Sequence, residues 1–242
     1  MPGAGDLLQV SRPVALVTGA SRGIGRAIAL DLGRDHHVLV GGTRAETVDP
    51  VVAELPSAEP FIADLTDPNS IDDASAGSSL AESPTLDVLV HSAGIIINKT
   101  VAEAGHEDWV QILGTNVVAV ADLTRQLLPA LRTAGGQVVT INSGAGYVAS
   151  PGNGLYAASK FALRAFTDAL REEERGRVRV TSIHPGRVDS DMQRQIQAGF
   201  GNEDYRAEIY LTPESVAATV RLAVDATDEA MVESLQIRPV VQ

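Results

Sequence analysis

Three residues of the chain have the types and the spacing to move a proton. Tyr156 and Lys160 stand four apart in Tyr156-Ala-Ala-Ser-Lys160, and Ser143 lies thirteen residues upstream. On a helix, a spacing of four puts both side chains on one face. Hydride reduction of a ketone leaves an oxyanion that needs a proton as it forms, and a phenol can supply one. An unperturbed tyrosine, with a pKa of about 10, is a poor shuttle near neutrality. A nearby ammonium favours the phenolate, and a shift of two or three units requires roughly 3–4 kcal/mol. One lysine in a partly desolvated site can provide that. Tyr-x-x-x-Lys alone is a frequent coincidence, so the reading depends on what positions the set.

The positioning elements follow from the pattern of apolar runs. Strands are predicted at Val14–Val17, His37–Val40, Pro60–Ala63, Leu86–Val90, Gln137–Asn142, Arg179–Ile183 and Ser234–Arg238. Helix-period segments lie between most of them, at Ile24–Leu32, Glu107–Leu131, Leu155–Glu174 and Pro213–Ala226. This alternation predicts an α/β fold: a Rossmann-type, doubly wound, mostly parallel sheet of seven strands with helices on both faces. The fifth strand delivers Ser143 at its carboxyl end, where open α/β sheets bind ligands. Tyr156 and Lys160 open the helix that follows. Asn116 falls on the apolar stripe of Trp109, Ile112, Leu113, Val120, Leu123, Leu127 and Leu131. A buried amide there needs partners or destabilises the fold by on the order of 1–3 kcal/mol.

The first strand runs directly into Thr18-Gly-Ala-Ser-Arg-Gly-Ile-Gly25 and then into an amphipathic helix. Glycines 19, 23 and 25, with Ser21, Arg22 and Ile24 between them, permit a tight turn and a close approach to a pyrophosphate at the helix N-terminus. The order strand, glycine turn, helix is the context that makes such a string informative. The spacing Thr-Gly-x-x-x-Gly-Ile-Gly, together with Ser143 and Tyr156-x-x-x-Lys160, resembles the short-chain dehydrogenase/reductase family from Arg12 to Pro239. The resemblance implies roles. Tyr156 is the general acid in reduction and the base in oxidation, and Ser143 hydrogen-bonds the substrate oxygen. Lys160 also holds the nicotinamide ribose, and Asn116 positions a water linking Lys160 to solvent. The loop His184-Pro-Gly-Arg-Val-Asp-Ser190 is similar to the family's Pro-Gly loop. The Val188 backbone would face the nicotinamide carboxamide, and Ser190 would reach the cofactor near its diphosphate; Pro185 and Gly186 would belong to this cofactor loop, with plain turn residues as the alternative.

The adenosine end favours NADP(H). The second strand ends in Gly41-Gly-Thr-Arg44, with no acid at its tip to hold an unphosphorylated ribose. Thr43 can donate to a 2′-phosphate and Arg44 can pair with it, while Arg22 is a second cation on the same side. Asp64, with Leu65 beside it, matches the family residue that accepts from the adenine amino group, although a helix cap for a segment beginning near Asp67 is an equal alternative. Ala93 and Gly94 let the ribose lie against the backbone. His91-Ser92 departs from the usual asparagine pair, and His91 reads as structural.

The remaining features bound the function. With 242 residues and 44% apolar content but only nine aromatic side chains, the chain is expected to form one domain (1–242) with an aliphatic core. Residues 1–12 are expected to be a loose tail without the look of a secretory signal, and 190–212 a substrate lid. Without cysteine there is no disulfide or thiolate metal site, and no metal is expected. A net charge of −12 argues against nucleic acid and anionic membranes as partners, and no run is long enough to span a bilayer. The expected protein is a cytoplasmic NADP(H)-dependent oxidoreductase acting on a small carbonyl or alcohol substrate. It is expected to be a homodimer or homotetramer through the helices at 107–131 and 155–174, with Phe161, Leu163 and Phe166 reaching that surface. The pocket is expected at Ile95–Ile97, Ala145–Tyr147, Asn153 and Met192–Tyr210. The alternatives are a non-catalytic NADP-binding sensor, or an epimerase or dehydratase on the same fold.

Overall fold

The computed structural model describes residues 12–199, 201–202 and 204–240. Residues 1–11 of the expected tail, and Phe200 and Glu203 of the expected lid, lie outside the described residues. Seven strands, β1 (Val14–Val17), β2 (His37–Gly42), β3 (Ala58–Ile62), β4 (Val88–His91), β5 (Gln137–Ile141), β6 (Arg179–Pro185) and β7 (Ser234–Ile237), form one sheet in the order β3-β2-β1-β4-β5-β6-β7. Every pairing is parallel. The order reverses between β1 and β4, and such a reversal opens a crevice at the carboxyl ends of the strands.

Burial on both faces explains why the central strands read as unbroken apolar runs. Successive side chains alternate faces. Ala15, Val17, Val38, Val40, Val88 and Val90 pack with Ile28 and Leu32 of α1 (Gly23–Leu32), Val48 and Val51 of α2 (Ala45–Glu54), and Val216 and Val220 of a C-terminal helix, Pro213–Val224. Leu16, Leu39, Leu89 and Val138 face the other way, onto Ile71 of α3 (Pro68–Ala76) and onto leucines 123, 127, 131 and 170.

The segment expected as one regular helix over 107–131 begins at His106 and reaches Ala134, but its middle is altered. α4 (His106–Leu113) passes through a π-helical turn, Gly114–Val118, into α5 (Ala119–Ala134). The widened turn holds Asn116, and it offsets the stripe so that Trp109 and Leu113 are only partly buried. α6 (Gly154–Glu173) buries Leu155, Leu163 and Leu170, so Leu163 belongs to the core and not to an outer surface, whereas Phe161 is exposed and Phe166 is partly buried. The stretch expected to be a lid contains α7 (Asp191–Gly199), and it is followed by α8 (Pro213–Val224), which starts from a Thr212 cap. Arg221 ties α8 to α1 through Asp31 at 2.7 Å and Asp35 at 2.8 Å. Among the described residues no helix is long and apolar enough to cross a membrane.

Candidate active site

At the carboxyl end of β1, backbone crowding accounts for two of the three glycines in the turn. Gly19 has φ +63°, and a Cβ there would lie 2.8 Å from the Cα of Ala93. A Cβ on Gly25 would sit 2.3 Å from the Gly19 carbonyl oxygen. The turn thus closes onto the β4 end at Ala93 and leaves the start of α1 open. No side chain caps that first turn and no acid lies in it, so its N–H groups and positive dipole end suit a diphosphate. Thr18 locks the arrangement: its hydroxyl accepts from the amides of Ser92 (3.0 Å) and Ala93 (3.1 Å) and donates to the Val90 carbonyl.

His91 is buried, and its Nε2 lies 2.8 Å from the Thr124 hydroxyl on α5. That hydroxyl donates to the Val120 carbonyl, so it must accept from His91 Nε2–H. Burial lowers the imidazole pKa to about 3, leaving it neutral and structural, as its position implied.

The residues expected at the adenosine end lie beyond the carboxyl ends of β2 and β3 and in the glycine turn. Thr43 and Arg44 are exposed just beyond β2. Asp64 Oδ1 accepts from the Thr66 amide and hydroxyl, which hold its carboxyl below the ordinary range. The cap of α3 is Asp67, not Asp64, which removes the capping explanation for Asp64. Leu65 is partly buried beside it. Arg22 is turned across the groove, 3.2 Å from Asp191 at the start of α7. With side chains 73% and 60% exposed, that pair is worth little and is available to a stronger anion.

Ser143 and Tyr156 converge on a cavity of about 490 Å³, which Lys160 does not line. Its walls include Ile24 of the glycine turn, Ser143, Tyr156, the loop residues Pro185, Gly186, Val188 and Ser190, and one face of α7 (Met192, Gln193, Ile196 and Gln197). Ser143 Oγ accepts from the Ala145 amide at 3.1 Å, which leaves the hydroxyl proton free to donate elsewhere. Burial raises the Tyr156 pKa, and the Ser143 hydroxyl draws it back down.

Lys160 behaves differently from expectation. Its Nζ donates to the Ile141 carbonyl at 2.9 Å and lies 5.7 Å from the Tyr156 ring centroid. Its hydrogen bond goes to a backbone oxygen and not to the phenol. Burial lowers its own pKa to about 8.

Asn116 finds partners for its whole amide. Oδ1 accepts from Ile95 N (2.9 Å), and Nδ2 donates to Ile95 O (2.9 Å) and Ser159 Oγ (3.0 Å). A Cβ on Gly94 would lie 3.3 Å from Asn116 Oδ1 and 4.0 Å from Lys160 Nζ, so Gly94, Asn116 and Lys160 form one group behind the cavity.

The pocket differs from expectation at several residues. Ile96, Ala145, Asn153, Met192, Gln193, Ile196 and Gln197 line it as expected; Ile95, Ile97, Gly146, Tyr147 and, among the described residues, the rest of 194–210 do not, and the short turn Gly144–Gly146 rotates Tyr147 back onto His184. Asn142 and Asn98 line it without having been singled out. Asn142 Nδ2 and Asn153 Oδ1 are buried without partners, and each offers hydrogen-bonding capacity at the pocket wall. For Asn142 the available signal was its position at a strand end beside Ser143; for Asn98 there was none.

Comparison with known proteins gives the same picture. A sequence model described as short chain dehydrogenase matches residues 13–200. Serine 3-dehydrogenase of Agrobacterium fabrum is 31% identical over 240 residues, covering 94% of both chains. The 3-oxoacyl-[acyl-carrier-protein] reductase of Escherichia coli is 32% identical over 200 residues, covering 81% of this chain and 80% of the relative. An alcohol dehydrogenase from Thermococcus sibiricus, solved with 5-hydroxy-NADP, superposes with a TM-score of 0.85 at 27% identity, covering 95% and 97% of the two chains. A closed serine dehydrogenase solved with NADP+ gives 0.84 at 29%, covering 95% and 96%.

Proposed function

Because the chain belongs to the short-chain dehydrogenase family of oxidoreductases, we propose that it transfers a hydride between NADP(H) and a carbonyl or secondary alcohol, with Tyr156 as general acid and base. The observation that carries this reading is the convergence of Ser143 and Tyr156 on a cavity whose opposite wall begins at the open end of α1. NADPH, when bound, supplies the hydride. Gly19, Ser21, Arg22, Gly23, Ile24 and Gly25 would hold its diphosphate, and Thr43 and Arg44 its 2′-phosphate. Asp64 and Leu65 would hold the adenine, Ala93 and Gly94 the adenosine ribose, and Lys160 with Tyr156 the nicotinamide ribose. Pro185, Gly186, Val188 and Ser190 would enclose the nicotinamide end.

The Ser143 hydroxyl donates to the substrate oxygen and fixes it beside Tyr156. Tyr156 gives up its proton as negative charge develops there, and Lys160 and Asn116 support the return of that proton from behind the cavity. Reverse transfer runs through the same atoms. Among the described residues the lining carries five amides (Asn98, Asn142, Asn153, Gln193 and Gln197) and Arg187, with no carboxylate. Such a wall suits a small, oxygen-rich substrate, and the names of the relatives put L-serine and 3-oxo acids among the first to try.

The protein is read as one working domain with α7 as part of its lid. Exposed Val110, Val118 and Phe161 on α4, the π-turn and α6 support a dimer or tetramer, to be measured by light scattering. A panel of ketones and 3-oxo acids with NADPH, and of L-serine and other hydroxy acids with NADP+, tests the reaction by the change in NADPH absorbance. Tyr156→Phe should lose turnover and keep NADPH binding. Retained turnover in that variant would overturn the mechanism.

A further inference from the structure

Behind Ser143, on the side away from the cavity, lies a second hydrogen-bonded group that the reaction above does not use. His184, fully buried at the end of β6, places Nδ1 3.2 Å from the Ser143 carbonyl oxygen. A carbonyl only accepts, so Nδ1 must carry the hydrogen and Nε2 must present a lone pair. The Tyr147 Oη lies 3.3 Å from that Nε2 and 3.4 Å from Ser234 Oγ on β7. The direction of the chain is therefore fixed, from Tyr147 Oη–H into Nε2 and from Nδ1–H into Ser143. The Tyr147 and His184 rings touch, with centroids 4.5 Å apart, and Arg164 of α6 covers Tyr147 at 4.6 Å. Arg238 donates to the His184 carbonyl, and a Cβ on Gly144 would meet the same guanidinium at 3.2 Å.

Apart from its amide, which donates to Asn142 Oδ1 at 2.9 Å, the Ser143 main chain has little else to hold it on this side. The residues that follow, Gly144-Ala145-Gly146, form a single short turn of intrinsically soft backbone. The other partner of the Ser143 carbonyl is the Gly146 amide within that same turn, at 3.0 Å. We propose that His184, held in one tautomer by Tyr147, is a positioning residue that anchors the Ser143 main chain and so aims the Ser143 hydroxyl at the substrate oxygen. Burial, with Arg164 and Arg238 nearby, keeps the imidazole neutral, against the opposing effects of the Ser143 hydrogen bond and Asp168. The anchor acts only through Ser143. It should therefore affect the chemical step and leave cofactor binding unchanged.

The inference rests on the oxidoreductase reading, and its test separates the two. With NADPH and the fastest ketone of the panel, His184→Leu should lower kcat by ~10–100-fold, because small misplacements of a reacting group are costly. KM and NADPH affinity should stay within about threefold. His184→Asn, whose amide N–H can replace Nδ1–H, should recover most of kcat. Wild-type kcat in His184→Leu, or equal losses in the Leu and Asn variants, would overturn the anchor. So would a parallel loss of NADPH affinity.

A second measurement needs no substrate and does not depend on how the Leu variant folds. Nitrogen NMR of histidine-labelled protein, with the His184 signals identified by their absence in His184→Asn, should show the Nδ1–H tautomer. An Nε2–H tautomer would refute the proposal. Turnover surviving in Tyr156→Phe would strike the oxidoreductase mechanism and leave this tautomer result standing on its own.

Discussion

Replacing Lys160 with methionine should stabilise the fold while stopping the reaction, by an amount that depends on pH. Burial lowers the Lys160 ammonium from 10.5 to about 8. At pH 7 the side chain is charged in both the folded and unfolded states, so the folded state bears the full cost of a buried ammonium. At roughly 1.4 kcal/mol per pKa unit that cost is about 3 kcal/mol. Between pH 8 and 10.5 the folded chain releases its proton first while the unfolded chain still binds one. The wild type therefore gains stability as pH rises, until the cost is nearly gone.

Methionine carries no charge but cannot donate to the Ile141 carbonyl, a loss of about 1 kcal/mol. The variant should therefore be more stable by about 2 kcal/mol at pH 7, or roughly 4–8 °C in Tm for a chain of this length. Near pH 10.5 the advantage should vanish or reverse. Calorimetry or urea unfolding of both proteins at pH 7 and pH 10 gives the comparison, with NADPH turnover as the control for lost activity. A variant less stable than wild type at pH 7, or an advantage that does not shrink by pH 10, would refute the reasoning.

Other expected outcomes are as specific. Tyr156→Phe should lower turnover by ~10²–10⁴-fold, the usual contribution of a positioned acid, while NADPH affinity in a fluorescence titration falls by no more than about tenfold, the loss of one ribose hydrogen bond. Arg44→Glu should reduce the preference for NADPH over NADH by at least ~10-fold, since a carboxylate there repels the 2′-phosphate; an unchanged ratio removes Arg44 from the site. Gly25→Ala would ordinarily stabilise a helix by roughly 0.5–1 kcal/mol. Here its Cβ would lie 2.3 Å from the Gly19 oxygen, so the Tm should fall and NADPH affinity should drop together. A Tm that rises would contradict the crowding argument.

The sheet and the main site were legible because their signals are local or regularly spaced. Val14–Val17 running into Gly19, and Tyr156 four residues before Lys160, need no knowledge of distant chain. What was not legible depends on tertiary contacts or on one-residue changes in geometry. The π-turn at Asn116 alters the helical period by less than the apolar stripe can reveal. α7 has only Met192 and Ile196 as large apolar residues, and both face a cavity rather than a core, so its periodicity is faint. Tyr147 belongs to the right loop, but the backbone turn before it reverses its direction. Its pairing with His184 joins residues 37 positions apart and leaves no trace in spacing. The direction of the Lys160 ammonium, towards Ile141 and not the phenol, is likewise a matter of packing that residue types cannot disclose.

The strand order also bears on how the molecule comes into being. β1 pairs with β4 across a gap illustrated by the Thr18–Val90 hydrogen bond, 72 residues apart, so the first strand and its glycine turn emerge from the ribosome long before the neighbour that completes their crevice. Non-local parallel pairings of this kind make for slow folding. They also divide synthesis into two stages, since the N-terminal strands can assemble first and the segment bearing Ser143, Tyr156 and Lys160 docks onto them later. Between those stages the β5-facing edge of β4 has no partner, and an unpaired strand edge is open to wrong pairing.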